Sequence, residues 1–111
     1  MNICNYKCLP EKTQTCCVKT KVIKLIQKAD LAKFEVELFE MQPAGYSPLH
    51  SHKILHAILV LEGEGIVFDG EKNTPIHVDD VVYIMANEQH QFRTIGKKPL
   101  KFLCVSNTIK E

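Results

Sequence analysis

The stretch His50-Ser51-His52-Lys53-Ile54-Leu55-His56-Ala57-Ile58-Leu59-Val60-Leu61-Glu62-Gly63-Glu64-Gly65-Ile66-Val67-Phe68 decides how the rest of the chain is read. Two short apolar runs, Leu55 to Leu61 and Ile66 to Phe68, flank Glu62-Gly63-Glu64-Gly65, which reads as two strands joined by a tight hairpin. Outward from there the hydrophobic pattern keeps a period of two. Lys21 to Ile26 is one such segment. In the next, Phe34, Val36 and Leu38 alternate with Glu35 and Glu37, which predicts one apolar and one polar face. Gln42-Pro43-Ala44-Gly45 and Asp69 to Asn73 read as turns. Ile76 to Ile84 predicts two short strands broken at Asp79-Asp80. Gln91 to Thr94 and Leu100 to Val105 close the series, separated by Gly96 to Pro99. No stretch after residue 20 carries a 3.6-residue period with caps. About eight short strands at this spacing indicate an all-β sandwich or barrel, and a small barrel has a lumen.

A chain of 111 residues has room for one domain. Fourteen Lys and Arg against 13 Asp and Glu leave a net charge of +1, so no basic field recruits nucleic acid or an anionic membrane. The longest apolar run, Ala57 to Leu61, is too short to span a bilayer, and Met1 to Gln14 lacks the apolar core of a secretory signal. A cytoplasmic protein is therefore expected. Five cysteines cannot all pair within one chain, which fits reduced thiols. Four of them, Cys4, Cys8, Cys16 and Cys17, fall in residues 1–19, read as a flexible Cys-rich amino-terminal arm or a short pairing strand. Residues 20–111 form the single β domain. The arm lacks the paired knuckles of a structural zinc site, and adjacent Cys16 and Cys17 aim poorly at one ion.

Five histidines are the chain's other compositional excess. In a strand, the rings of His50 and His52 point to one face about 7 Å apart along the chain, suited to gripping one ion. His56 and His90 can return to that face from neighbouring strands. Neutral imidazoles suit divalent Fe, Mn, Ni, Zn or Cu and disfavour Mg or Ca. A His-x-His alone equally fits an ordinary strand. His77 belongs to no such pattern and is expected near the surface.

Pro43-Ala44-Gly45-Tyr46-Ser47-Pro48-Leu49-His50-Ser51-His52 through Val60-Leu61-Glu62-Gly63 resembles the first motif of the cupin superfamily: a Gly, His-x-His, a Glu and a closing Gly. His56 stands where that family usually has Glu, Gly63 follows it at the usual spacing, and Gly45 precedes His50 by one residue fewer than usual. The second motif survives in eroded form over Asp79 to Ile84 and Asn87 to Arg93, with His90 retained. Asp79 and Asn87 replace its two Gly, Met85 its Pro and Thr94 its Asn; Asp and Asn are the non-Gly residues that best tolerate left-handed backbone. The resemblance covers about residues 30–106. It implies a jelly-roll barrel, commonly a homodimer, with one central metal, Mn or Fe being favoured, held by His50, His52, His90 and, in the Glu position, His56. Four neutral ligands leave a divalent ion at net +2, which favours an anionic or enolate-like ligand and the lower oxidation state.

Cys104 shares a face with Phe102 in the last strand and is a candidate wall residue or outer ligand; a small buried hydrophobe is its plainer role. Tyr46, Tyr83, Phe92 and Met85 are further pocket candidates. Three functions are compatible: a metal-dependent dioxygenase-type oxidoreductase acting on a small enolisable or phenolic molecule, a sugar or keto-acid isomerase, or a non-catalytic binding module. The isomerase needs an inward Glu, Lys or Tyr, and no such base stands out in the sequence.

Overall fold

A computed structural model describes residue 1, residues 3–26 and residues 34–107. Residues 27–33 and 108–111 of the expected domain lie outside the described residues. The strands are β1 (Glu11–Thr13), β2 (Val18–Ile26), β3 (Phe34–Tyr46), β4 (His56–Glu62), β5 (Glu64–Phe68), β6 (Asn73–Ile76), β7 (Val81–Ile84), β8 (Gln91–Ile95) and β9 (Leu100–Asn107). Every pairing between them is antiparallel. One run of the sheet is ordered β1-β2-β3-β9-β4-β7. The other leaves the far end of β3 at the Tyr46–Arg93 pair and continues β8-β5-β6. The fold is all-β, a sheet curled into a half-barrel around its core.

The core is built by period-two alternation. On β9, Leu100, Phe102, Cys104 and Ser106 are buried and face inward, opposite Val60, Ile58 and His56 of β4. Phe102 stacks between Phe39 and Phe92 with ring centroids 5.1 Å apart on each side. Val60 and Leu100 are wholly buried, and full burial of such a side chain stabilises by about 1.5–3 kcal/mol.

Three expectations are corrected. The segments either side of Gly63 are strands, β4 and β5, but they are not a hairpin: β4 pairs with β7 and β9, whereas β5 pairs with β6 and β8. The chain turns a corner between the two runs of the sheet on a single residue, Gly63, at φ +80°, where an added Cβ would collide with the Pro99 carbonyl oxygen. Gln42-Pro43-Ala44-Gly45 does not end its strand. Ala44 takes φ 68° and kinks β3, carrying it from β9 across to β8. Gly45 fills the inside of that kink, where a Cβ would stand 2.8 Å from both Gln42 O and Met41 Cγ. The third correction concerns the faces of β3. Its register sets Glu37 opposite Cys104, Phe39 opposite Phe102 and Met41 opposite Leu100. The inward stripe is therefore Glu37-Phe39-Met41, while Leu38 is buried on the outer side. Apolar residues on both faces around Leu38 to Met41 make the alternation ambiguous, and pairing resolves it.

Within residues 1–19, a 3-10 turn (Tyr6–Cys8) and β1 lie against the sheet, β1 pairing with β2 over Glu11–Ile23 to Thr13–Lys21. Lys101 Nζ donates to Tyr6 Oη at 3.1 Å and lies 5.2 Å from the centre of that ring. Among the described residues no helix is long and apolar enough to cross a membrane.

Candidate metal centre

Two extended segments, one after β3 and one before β8, lie side by side at the mouth of the half-barrel. Ser47 N–H donates to Phe92 O at 2.9 Å, and Phe92 N–H returns to Ser47 Oγ at 2.8 Å. Further along, His50 and His90 exchange backbone hydrogen bonds of 3.2 and 2.9 Å, and Asn87 N–H donates to His52 O. These contacts fix the rings of His50, His52 and His90 around one point. Asn87 does so at φ 67° and Asp79 holds φ 74°, so both take the left-handed backbone anticipated for them as replacements for Gly. Asp80 then caps the loop, accepting the His77 N–H at 2.7 Å.

The donor atoms of His50, His52 and His90 all lie within 4.8 Å of one another, a group that could hold a metal ion. His50 Nε2 and His52 Nε2 are 3.2 Å apart. Imidazole nitrogens at about 2.1 Å from one ion stand roughly 3 Å apart when adjacent, so this spacing fits a shared ion. His90 Nδ1 lies 3.0 Å from Glu88 O; a carbonyl only accepts, so Nδ1 carries the proton and Nε2 keeps its lone pair. His56, on β4, brings its ring centroid to 5.3 Å from His52 and 5.5 Å from His90. Its Nδ1 lies 2.8 Å from Ser106 Oγ, while its buried Nε2 has no hydrogen-bond partner. Such an atom requires a partner, and a metal ion supplies one. The chemistry of the donor set and this orphaned nitrogen both fit a borderline divalent ion.

Burial and mutual proximity disfavour the charged forms of His50, His56 and His90. Burial, then the neighbouring imidazoles His52 and His90, lower the pKa of His50 to about 4. Burial, followed by His90, His52 and His50, does the same for His56, also to about 4. His90 is lowered mainly by burial. At neutral pH these rings offer lone pairs without first losing a proton.

The surrounding cavity, 190 Å³, is walled by Phe92, Phe102, Ile58 and Ile84, among others. Cys104 lines it, buried, with Sγ 3.6 Å from His56 Nδ1. Burial pushes its thiol up to about 11, with Glu37 adding to the shift and the Ser106 hydrogen bond opposing it, so Cys104 is a neutral thiol at pH 7. Tyr83 is placed otherwise than expected: it pairs with Ala57 on the outer face of β7 and is 57% exposed, because Val82 and Ile84 take the inward positions. Tyr46 and Met85 are likewise exposed, and His77 sits at the surface, 3.6 Å from Asp80. A larger cavity, 290 Å³, lies between the amino-terminal segment and the outer face of the sheet, but none of the imidazoles reaches it.

Among the pocket residues that sequence reading misses, a carboxylate and two thiols carry chemistry. Glu37 points in from β3, its carboxyl raised above the usual range by burial and by Glu35, against a smaller lowering from Lys24. The signal was the continuation Glu37-Phe39-Met41, which shares the period of the inward stripe. Cys16 and Cys17, on the turn between β1 and β2, also line the pocket, and no local pattern foretold that.

Among relatives, 1-methylthio-D-xylulose 5-phosphate methylsulfurylase of Rhodospirillum rubrum is 32% identical over 77 residues, covering 69% of this chain and 49% of that protein. An oxalate-binding protein of Thermotoga maritima is 33% identical over 67 residues, 60% of this chain and 55% of that protein. The chain thus spans about half the length of these relatives. Among solved structures, the polyketide cyclase RemF from Streptomyces resistomycificus superposes with a TM-score of 0.87 at 25% identity, covering 100% of this chain and 87% of that one. Residues 37–106, which hold the corner at Gly63 and all four clustered histidines, match the cupin domain family, and the chain belongs to it.

Proposed function

We propose that the chain holds one divalent transition metal, Mn or Fe, through His50, His52, His56 and His90, and moves a proton on a small enolisable, oxygenated anion. The observation that carries this reading is Glu37, a carboxyl turned into the same pocket as the imidazoles and held above its ordinary pKa. A carboxyl whose basicity is raised by burial is suited to accept and return a proton at a carbon next to a carbonyl. A bound divalent ion supplies a Lewis acid that polarises the substrate's carbonyl or carboxylate oxygen. The chain's own groups do the rest. Four neutral imidazoles leave the ion's charge uncompensated and so favour an anion. Glu37 takes the proton from the α-carbon and returns it to the neighbouring atom. Phe92, Phe102, Ile58 and Ile84 limit the entry of water. The relatives named for a sugar phosphate and for oxalate are consistent with small oxygenated anions as ligands.

The apolar wall and the all-imidazole donor set also favour a second reading, dioxygenase-type chemistry on an enolisable or phenolic molecule. The two separate cleanly. The metal content of the purified protein is measured first. Exchange of α-protons for deuterium is then followed by NMR on a panel of 2-keto acids and ketose phosphates, beside oxygen uptake. The proposal expects exchange that falls about 100-fold or more in Glu37→Gln while metal content is unchanged. Oxygen uptake without exchange would overturn it in favour of the second reading.

A further inference from the structure

Three of the five cysteines meet at the histidine pocket, although they come from opposite ends of the sequence: Cys16, Cys17 and Cys104. Cys104 lies within. Cys16 and Cys17 sit at the rim, Cys16 exposed and Cys17 half-buried, both free, with sulfurs 3.7 Å apart. The turn that carries them is short and lightly tied. Cys17 N–H donates to Gln14 O at 3.1 Å, Gln14 N–H donates to Thr20 O at 2.9 Å, and Lys19 follows at φ 52°.

We propose that Cys16 and Cys17 form a redox-active dithiol that opens the histidine pocket when oxidised by a hydroperoxide. The exposed Cys16 sulfur, as thiolate, attacks the peroxide. An S–O bond forms, the O–O bond breaks, and the leaving alkoxide takes a proton to become an alcohol, or water when the oxidant is hydrogen peroxide. The Cys17 sulfur then attacks the resulting sulfenic acid. An S–S bond forms, the S–O bond breaks, and hydroxide leaves with the Cys17 proton as water. Two thiols have supplied two electrons to one peroxide.

The geometry couples this chemistry to the pocket. A disulfide normally spans Cα atoms at least about 4.4 Å apart, whereas neighbouring residues are held at about 3.8 Å. Because the peptide fixes that 3.8 Å, closing the ring must instead rotate the backbone and side-chain torsions of Cys16 and Cys17, and the Cys17 N–H that donates to Gln14 O lies within the segment that rotates. A ring so constrained is also readily reduced, which makes the step reversible by cellular thiols. This inference stands whether or not the imidazoles hold an ion, because its readouts are covalent.

The full chain is treated with one equivalent of hydrogen peroxide, alkylated with iodoacetamide and digested with trypsin. Cleavage after Lys12 and Lys19 gives a peptide, residues 13–19, whose only cysteines are Cys16 and Cys17; cleavage after Lys101 and Lys110 isolates Cys104. The 13–19 peptide should lose two hydrogens and both alkylation sites while Cys4 and Cys8 remain alkylated. In the oxidised protein Cys104 should alkylate about fivefold faster, as expected for release of one backbone hydrogen bond. Cys16→Ser should abolish both changes. Oxidation falling first on Cys4, Cys8 or Cys104, or a Cys16–Cys17 disulfide that leaves the Cys104 rate unchanged or lower, would overturn the proposal.

Discussion

Replacing His56 by phenylalanine should move two properties of the molecule in opposite directions. His56 Nε2 is buried without a hydrogen-bond partner, and an orphaned polar atom of that kind costs about 1–3 kcal/mol. Its Nδ1 hydrogen-bonds Ser106 Oγ at 2.8 Å, with a net worth of about 0.5–1.5 kcal/mol, beside a weaker contact with Cys104 Sγ at 3.6 Å. A phenyl ring keeps the outline of the imidazole, adds apolar surface facing Ile84 and Ile58, and removes both terms. Ser106 Oγ still has Cys104 Sγ at 3.5 Å. The balance favours the metal-free variant by about 1 kcal/mol, a rise in melting temperature of roughly 4–6 °C. Metal affinity should fall by about 100-fold or more, since the orienting partner of a ligating histidine is by itself worth 10–100-fold. Calorimetry in the presence of a chelator reads the first quantity, and cobalt competition against a chromophoric chelator reads the second. Unchanged affinity would mean that three imidazoles suffice and would refute the fourth-ligand reading. A lower melting temperature in the metal-free variant would refute the orphaned-atom argument.

Ser106→Ala should weaken cobalt binding about 10–100-fold by freeing the His56 ring to turn, and an unchanged titration would show that the hydroxyl orients nothing. Gly63→Ala combines a left-handed backbone with a collision against the Pro99 carbonyl, so urea denaturation should show a loss of about 3 kcal/mol or more; a loss under about 1 kcal/mol would contradict the single-residue corner. Acid should destabilise the metal-free protein. His50 and His56 titrate at about 4 when folded, below their ordinary 6.5, so the unfolded chain binds protons first. Stability is complete above about pH 6.5 and lost progressively as the pH falls toward 4. Glu37, raised by burial, works in the opposite direction, as one group against His50, His56 and the likewise lowered His90. A urea midpoint that stays flat across that window would contradict the buried, neutral cluster.

Much of the strand pattern was legible because a half-barrel buries one face of each strand and so imposes a period of two on the chain. The spacing of His50, His52 and His56 and the tolerance of Asp79 and Asn87 for left-handed backbone were legible for the same local reason. Partners were not. The runs beside Gly63 look like a hairpin because hairpins and corners use the same residues at the turn; what distinguishes them is whether β4 pairs with β5 or with β9, which is a long-range fact. Glu37 falls on the polar side of the alternation formed by Phe34, Val36 and Leu38. Opposite them Phe39 and Met41 begin another, and only the register with Phe102 and Leu100 chooses between the two.

Sequence by itself pointed to an all-β fold and to His50, His52 and His90 as side chains suited to a borderline metal, since periodicity and His-x-His spacing act over a few residues. Tertiary structure alone decided which atoms share the pocket. It brought a glutamate into view of the imidazoles, set Cys16 and Cys17 at the rim, and turned Tyr83 away. The physical reason is that strand pairing is non-local: a shift of one residue in register exchanges the two faces of a strand and, with them, every group it presents to the lumen.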